Sequence, residues 1–140
     1  LITATDKRRA ISFGVFGGQD CINKYPSGQT GTDPVIISRI AEMYLISAEA
    51  SSLTLGAERL NAVRTARGLP EVHPTSSAEM QTLVLEERRK EFLAEGFAYY
   101  DYVRTNTATK YLGLLNYQHL LPIPGGELQL NDKLTPNPGY

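Results

Sequence analysis

A row of three glutamates is the part of this sequence that offers chemistry. Glu87, Glu91 and Glu95 stand four residues apart, so a helix would place them on one face. Carboxylates in such a row can hold a metal ion or act as an acid–base pair. A di-metal site in a helical bundle uses a Glu-x-x-His motif, and neither His73 nor His119 follows a glutamate by three residues. A catalytic pair needs carboxylates that converge on a pocket, which one row does not provide. We therefore predict neither a metal site nor a catalytic site.

The charges around this row favour a structural interpretation. Residues 86–91 are six consecutive charges, and a helix turns such a run through every face, including the buried one. Burying an unpaired charge costs several kcal/mol, so the protein must supply partners. Arg88, or Arg64 and Arg67 from the preceding helix, has the fork geometry that pairs with carboxylates. The prediction is a structural ion network that contains Glu87, Arg88, Glu91 and Glu95.

Aromatic residues follow the charged run. Phe97 and Tyr100 are three residues apart on one helical face, and we predict that they anchor the core. Tyr99 and Tyr102 are then the more exposed tyrosines, and exposed tyrosines can stack on the flat faces of sugar rings. They are named as candidate ligand-binding residues, although the ligand site as a whole stays unknown. Gly96 costs about 1 kcal/mol in a helix relative to alanine, which predicts close approach of another backbone.

The bulk composition predicts one soluble domain over residues 1–140. Hydrophobic residues make up 41% of the chain, charged residues 21%, and the net charge of −1 gives no electrostatic reason to expect a nucleic-acid partner. No apolar run approaches the ~18 residues of a membrane span. The single cysteine, Cys21, cannot form an internal disulfide. No glycine-rich phosphate loop, nucleophile elbow or Cys/His metal spacing occurs, so we predict no cofactor and no enzymatic activity.

The elements that position these residues are predicted to be mainly α-helical. Residues 36–50 and 55–66 are expected to form an antiparallel helix pair with the length of a tetratricopeptide repeat. One long helix is predicted over residues 76–104, capped by Thr75 or Ser76, with Glu79 placed to complete a capping box with Ser76. The apolar stripe of the first helix is predicted to contain Ile36, Ile40, Met43, Tyr44, Ile46 and Ala50.

The flanking segments carry weaker helical signals. Alternating apolar residues at 11–16 predict a short strand within a strand-and-loop segment, residues 1–35. Residues 105–140 hold four prolines but also many apolar side chains, too many to leave in water. The prediction is an extended, proline-rich tail that packs on the helices of residues 36–104.

Several segments, taken in order, resemble the C-terminal region of the SusD/RagB family. Each is short, but together they cover most of the chain and lie at the spacing typical of that family. They are RIAEMYLISAEA (39–50), LNAVRTARG (60–68), EERRKE (86–91), EG (95–96), YDYVR (100–104), LPIP (121–124), EL (127–128) and NPGY (137–140), with DKRR (6–9) and Phe13 upstream.

The resemblance implies a function that the residue types alone do not. Members of this family are outer-membrane lipoproteins of Bacteroidetes with a helical, tetratricopeptide-like scaffold. They bind glycans or other nutrients at the cell surface, work with a TonB-dependent transporter and have no enzymatic activity. The resemblance also implies that the lipid anchor and much of the ligand surface belong to an N-terminal region absent from this chain. The alternative is a helical protein–protein interaction scaffold with no small-molecule ligand.

Overall fold

Helices make up most of the secondary structure, which confirms the predicted mainly α class. The computed structural model describes residues 2–27, 30–34 and 37–140, so Ile36, the predicted start of the first long helix, lies outside the described residues. The elements in chain order are α1 (Arg9–Ser12), β1 (Phe13–Phe16), β2 (Gln19–Ile22), α2 (Ile40–Ala50), α3 (Leu53–Ala66), α4 (Ser77–Glu91), α5 (Phe97–Arg104), α6 (Ala108–Leu112), a 3-10 helix (Asn116–His119) and α7 (Gly125–Leu130).

The chain divides into two compact units, Leu1–Phe97 and Ala98–Tyr140. The first unit contains the hairpin of β1 and β2 and the three helices α2, α3 and α4. The second contains most of α5 and all the elements that follow it. The single domain over residues 1–140 stays a prediction.

The core of the first unit forms where α2, α3 and α4 meet. Gly56 near the start of α3 lies against Ala48 near the end of α2, so the two helices run antiparallel, as predicted. A Cβ on Gly56 would lie 2.5 Å from the backbone oxygen of Ala48, which only a glycine permits. Each large apolar side chain buried here contributes roughly 1.5–3 kcal/mol. The buried core residues are Leu45, Ala48, Leu60, Val63, Met80, Val84 and Phe92.

The predicted inward stripe of α2 is confirmed at Tyr44, which packs against the core, and is wrong at Ile40, Met43 and Ile46. Ile40 is 73% exposed, and Met43 and Ile46 are each 47% exposed. The buried residues of this helix are Ala41, Leu45 and Ala48. The close approach of α3 explains the difference, because a tight helix contact accommodates alanine and excludes the bulkier side chains.

The start of α4 follows the prediction in part. The backbone N–H of Glu79 donates to Ser76 Oγ at 3.2 Å, which confirms Ser76 as the cap. The Glu79 carboxylate accepts hydrogen bonds from the backbone N–H (2.8 Å) and hydroxyl (2.9 Å) of Thr75 and not from the backbone of Ser76. The predicted hydrogen bond to the Ser76 side chain is therefore present, while the Glu79 side chain binds the backbone of Thr75, one residue before the predicted partner.

The predicted continuous helix over residues 76–104 is wrong, because it is broken between α4 and α5. Ala94 and Gly96 have φ values of 63° and 80°, in the left-handed region that a right-handed helix excludes. A Cβ on Gly96 would have no neighbour within 4 Å, so close backbone approach does not explain this glycine. Its role is the positive φ that redirects the chain.

Two cations from distant segments cap the last turn of α4. In a continuing helix, the Glu91 carbonyl would accept a hydrogen bond from the N–H of Glu95. Here that carbonyl accepts from Lys24 Nζ at 2.7 Å and from Arg39 Nη2 at 2.6 Å. The Glu95 N–H donates to the Phe92 carbonyl instead, at 3.1 Å. The helix can end at Glu91 because its terminal carbonyl is satisfied from outside.

A small hairpin precedes α2. The predicted strand is β1, and it pairs antiparallel with β2 in the register Phe13↔Ile22 and Phe16↔Gln19. Gly17 and Gly18 form the two-residue turn with φ values of 58° and 80°, as a primed hairpin turn requires. The strand β2 was not predicted from the sequence.

The predicted extended tail contains regular structure of its own. Helices α6 and α7 and the 3-10 helix all lie within residues 105–140. Pro122 and Pro124 separate the 3-10 helix from α7, because a proline has no backbone N–H to extend a preceding helix. Within the second unit the tail packs on α5, since the Tyr102 ring stacks on Tyr111 with 4.9 Å between centroids.

Candidate functional site

The three glutamates of the row are buried at one side of α4. Their side chains are 0% exposed for Glu87, 5% for Glu91 and 6% for Glu95. At four-residue spacing the like charges would repel each other, so cations must lie among them. The cations that contact the row are Arg8, Lys24, Arg39, Arg64, Arg67 and Lys90.

Glu91 is the centre of this ion network. Arg67 binds it with two parallel hydrogen bonds, Nε to Oε2 at 3.0 Å and Nη2 to Oε1 at 2.8 Å. Arg8 Nη1 donates to Oε2 at 3.1 Å, and Arg39 Nε donates to Oε1 at 3.3 Å. One carboxylate is therefore shared by three guanidinium groups.

Glu87 and Asp6 share the buried guanidinium of Arg8. Arg8 Nη2 donates to Glu87 Oε1 at 2.6 Å and to Asp6 Oδ2 at 2.7 Å, and Arg8 Nε donates to Asp6 Oδ1 at 2.9 Å. Arg64 Nη1 donates to the second oxygen of Glu87 at 3.1 Å. The Glu87 side chain of α4 thus binds both Arg8, which precedes α1, and Arg64 of α3.

Glu95 lies just beyond the end of α4 and binds the two cations that cap this helix. Arg39 donates to both of its carboxylate oxygens, from Nη1 at 3.0 Å and from Nη2 at 2.7 Å. Lys24 Nζ forms an ion pair with the same carboxylate. The helix break therefore positions Glu95 to hold the capping groups in place.

Arg88 occupies an aromatic environment. Its guanidinium carbon lies 4.9 Å from the ring centroid of Phe92 and 6.0 Å from that of Phe97. Arg39 approaches the Phe92 ring at 4.8 Å. Such cation–π contacts add to the ion pairs, because the ring face is negative.

The network shifts the protonation of its members. Burial by itself would raise the pKa of Glu91, but the hydrogen bonds and charge of Arg67, with the charges of Arg8 and Arg39, lower that pKa below its ordinary value of 4.5. Burial opposes a similar change at Asp6, whose hydrogen bonds and ion pair with Arg8 lower its pKa below 3.8. The hydrogen bonds to Glu91 raise the pKa of Arg67. These groups therefore stay charged at neutral pH.

The arrangement is suited to holding segments together. The carboxylate oxygens of the row accept hydrogen bonds from guanidinium and ammonium groups, which are the donors that a bound metal would have to displace. Among the residues that the structure describes, no group of three or more His, Cys, Asp or Glu side chains is arranged to hold a metal ion. A structural role for the network stays a prediction.

Sequence spacing did not identify half of the network. Arg64 and Arg67 were expected partners, whereas Asp6, Arg8 and Arg39 were not assigned to the row. The available signal was the charged run at residues 6–9, which stands out because the other residues of positions 1–16 are uncharged.

The tyrosines of α5 are arranged differently from the prediction. Tyr100, expected in the core, is 64% exposed, while Tyr102, expected to be exposed, is only 4% exposed. The break after α4 explains this, because the buried face of α4 does not continue into α5. Tyr99 is partly buried, and its hydroxyl donates to the backbone oxygens of Gln118 at 3.2 Å and His119 at 3.1 Å. Whether Tyr99 or Tyr102 binds a ligand stays a prediction.

More aromatic residues gather in the same unit. Tyr100 packs edge-on against Tyr99 with 5.3 Å between ring centroids, and Tyr117 packs edge-on against Tyr140 at 5.2 Å. The Tyr140 hydroxyl donates to the Leu120 carbonyl at 2.8 Å. The Tyr100 ring, which is exposed, gives this group one surface that a sugar ring could stack on.

Comparison with known proteins decides the family. The sequence profile of the SusD family matches residues 20–119. The chain belongs to the SusD family. Its matched segment includes α2, α3 and α4, and with them Arg64, Arg67, Glu87 and Glu91 of the ion network.

Individual SusD-like proteins agree with this assignment. The chain is 37% identical over 95 residues to SusD-like protein P38 of Formosa agariphila, which covers 59% of this chain and 19% of that protein. It is 30% identical over 138 residues to SusD-like protein P2 of the same organism, covering 81% of this chain and 27% of that protein. The crystal structure of a SusD-like protein from Bacteroides fragilis matches with a TM-score of 0.64 and 26% identity, over 75% of this chain and 26% of that one. The chain thus spans about a fifth to a quarter of the length of these SusD-like proteins.

In residues 2–27, 30–34 and 37–140, we find no helix with the length and apolar character needed to cross a bilayer.

Proposed function

We propose that the protein binds glycans or other nutrients at the bacterial cell surface without breaking bonds in them. Membership of the SusD family, with a match over residues 20–119, is the observation that carries this proposal. The chain covers only part of its SusD-like relatives, so the proposed function applies to the protein that contains it.

Within that function, this chain acts mainly as scaffold. The buried carboxylates of α4 are committed to arginine and lysine partners, which supports a structural use of the most charged segment. The exposed ring of Tyr100 and the hydroxyl-anchored ring of Tyr99 are the groups in this chain with the character of a sugar-stacking surface. Their contribution to the ligand site is minor compared with that of regions outside these 140 residues.

The proposal includes the cellular setting that the family resemblance implies. The protein is held at the outer membrane by a lipid anchor located outside this chain and passes its ligand to a TonB-dependent transporter. No step of that process requires a cofactor or a catalytic residue.

The test is a binding experiment on the full-length protein. A panel of glycans on an array, followed by calorimetric titration of the best ligands, should find at least one saturable ligand that is recovered unchanged. Co-purification with an outer-membrane transporter from the native host tests the second part. Retained transporter association without any saccharide or peptide nutrient binding would overturn nutrient binding and favour the alternative, a helical protein–protein interaction scaffold.

A further inference from the structure

Most of the residues that line one cavity of the first unit are cationic. The cavity has a volume of about 440 Å³, which is within the range of small-molecule sites. Only one carboxylate, Glu91, reaches it from the described residues. The cations that line it are Lys7, Arg8, Lys24, Arg39, Arg67 and Lys90.

The carboxylates of the ion network do not balance the charge of the cations that line the cavity. The cluster comprises the six cations of the cavity and Arg64, against four carboxylates. Three positive charges are therefore in excess among the described residues of the cluster. The carboxylates concerned are Asp6, Glu87, Glu91 and Glu95. Excess charge around a cavity raises the local concentration of anions.

Two cations retain hydrogen-bond donors. The hydrogen bonds of Arg67 to Glu91 use Nε and Nη2, so within the described chain Nη1 has no carboxylate partner. The Lys7 ammonium likewise forms no ion pair with any residue that the structure describes. A side chain with unused charged donors at a cavity wall can bind an oxyanion directly.

Lys7 is held in place beside Arg67 by the backbone. The N–H of Lys7 donates to the carbonyl of Arg67 at 3.0 Å. Its aliphatic stem runs over Gly68, where an added Cβ would lie 3.3 Å from Lys7 Cε and 3.4 Å from Cγ. Gly68 also has a φ of 75°, which ends α3 and allows this approach. The backbone hydrogen bond and the contact with Gly68 therefore place Lys7 next to Arg67, and both residues line the cavity.

We propose that this cavity binds an oxyanion, namely a carboxylate, sulfate or phosphate group, with Lys7 and Arg67 as its main donors. The group is carried by an acidic saccharide or is a free inorganic ion, and both present the same oxygens to the same donors. The volume admits a charged monosaccharide as well as a single ion. Anion binding of this kind goes beyond the proposed nutrient binding and does not depend on it.

The test compares three anions on the full-length protein. Sodium sulfate, sodium glucuronate and galactose 6-sulfate are titrated calorimetrically at constant ionic strength, with neutral galactose as the uncharged reference. Lys7→Gln removes the free ammonium and keeps the backbone bond to Arg67. Lys133→Gln, an exposed lysine of the second unit, is the matched control.

The proposal predicts saturable binding of at least one anion to the wild-type protein. Lys7→Gln should raise its dissociation constant about tenfold, as expected for loss of one charge-assisted hydrogen bond, while Lys133→Gln leaves it unchanged. Preference for sulfate would identify a free ion as the occupant, and preference for either sugar would identify an acidic saccharide. No saturable anion binding, or the same affinity in wild type and Lys7→Gln, would overturn the proposal. Neutral glycan binding is measured separately, so the nutrient-binding function and the anion site can fail independently.

Discussion

Arg39 Nη2 donates a 2.6 Å hydrogen bond to the backbone oxygen of Glu91, while its Nε contacts the carboxylate of the same residue. One side chain thus binds both the main chain and the side chain of the last residue of α4. The positive guanidinium also lies at the negative end of the helix dipole, where a cation is favourable. The contact caps the end of α4 and adds to the charges of Arg67 and Arg8 that keep the buried Glu91 ionised.

Replacement of Arg39 by alanine should lower the free energy of unfolding by about 2–4 kcal/mol. The change leaves the Glu91 carbonyl and two buried carboxylates short of donors. Urea unfolding of the full-length protein, followed by circular dichroism, measures the effect. Arg89 is an exposed arginine of α4, so Arg89→Ala is the control and should change the free energy of unfolding by no more than about 0.5 kcal/mol. Equal stabilities of the two variants would show that the network has no structural role.

Acid should destabilise the protein through Glu91 and Asp6. Their pKa values are lowered in the folded state, from ordinary values of 4.5 and 3.8, so the unfolded chain takes up protons first as the pH falls. The stabilisation is fully present above about pH 4.5 and is lost as the pH falls through the folded-state pKa values. Urea midpoints measured from pH 7 to pH 3 check this. Glu91→Gln should be less stable at pH 7 and show a shallower decline, and a slope identical to that of the wild type would contradict the assignment.

A methyl group at Gly56 should separate α2 from α3. The added Cβ would lie 2.5 Å from the Ala48 carbonyl oxygen and 3.1 Å from Met80 Cε, so the helices must move apart. We expect Gly56→Ala to cost about 1–3 kcal/mol, despite the higher helix propensity of alanine. Thermal unfolding of the two variants measures the effect. Gly126→Ala in α7 is the control, because its Cβ would meet no atom within 4 Å, and it should be neutral or slightly stabilising. A stabilised Gly56→Ala would mean that the contact between these helices is looser than described.

Substitution of Gly139 should loosen the end of the second unit. Gly139 has a φ of 98°, and a Cβ there would lie 2.5 Å from Tyr117 Cγ, so alanine is excluded by both strain and contact. In Gly139→Ala, the amide of Tyr140, which donates to Asn137 O at 3.1 Å, should exchange its hydrogen at least about tenfold faster. Gly125→Ala serves as the control, because open space surrounds that position. Unchanged exchange at Tyr140 would show that this turn does not depend on the glycine.

The helices were predictable because their signals are local. A capping serine at position 76 and a glycine after α3 mark boundaries that depend on neighbouring residues only. The buried face of α2 was not predictable in this way. Apolar periodicity favours the bulky residues Ile40 and Met43, whereas the observed face is set by how closely α3 approaches.

The partners in the ion network were even harder to predict from local sequence signals. Spacing along α4 is enough to find the row of Glu87, Glu91 and Glu95, since a helix brings every fourth residue to one side. Their partners include Arg8, which lies 83 residues from Glu91, and Arg39, which lies 52 residues from it. No periodic pattern links such positions, so both the partners and the helix break that they stabilise emerge only from the three-dimensional structure.

The same separation in sequence sets an order of events during synthesis. The ribosome releases Asp6 and Arg8 long before it has made α4, because 83 residues separate Arg8 from Glu91. Among the carboxylates that pair with the Arg8 guanidinium, Asp6 is the one that is present before α4 emerges. The nascent chain can build the α2–α3 pair first, whereas the ion pairs of Arg8 with Glu87 and Glu91 form only after α4 has been made, which makes these ion pairs a late step of folding.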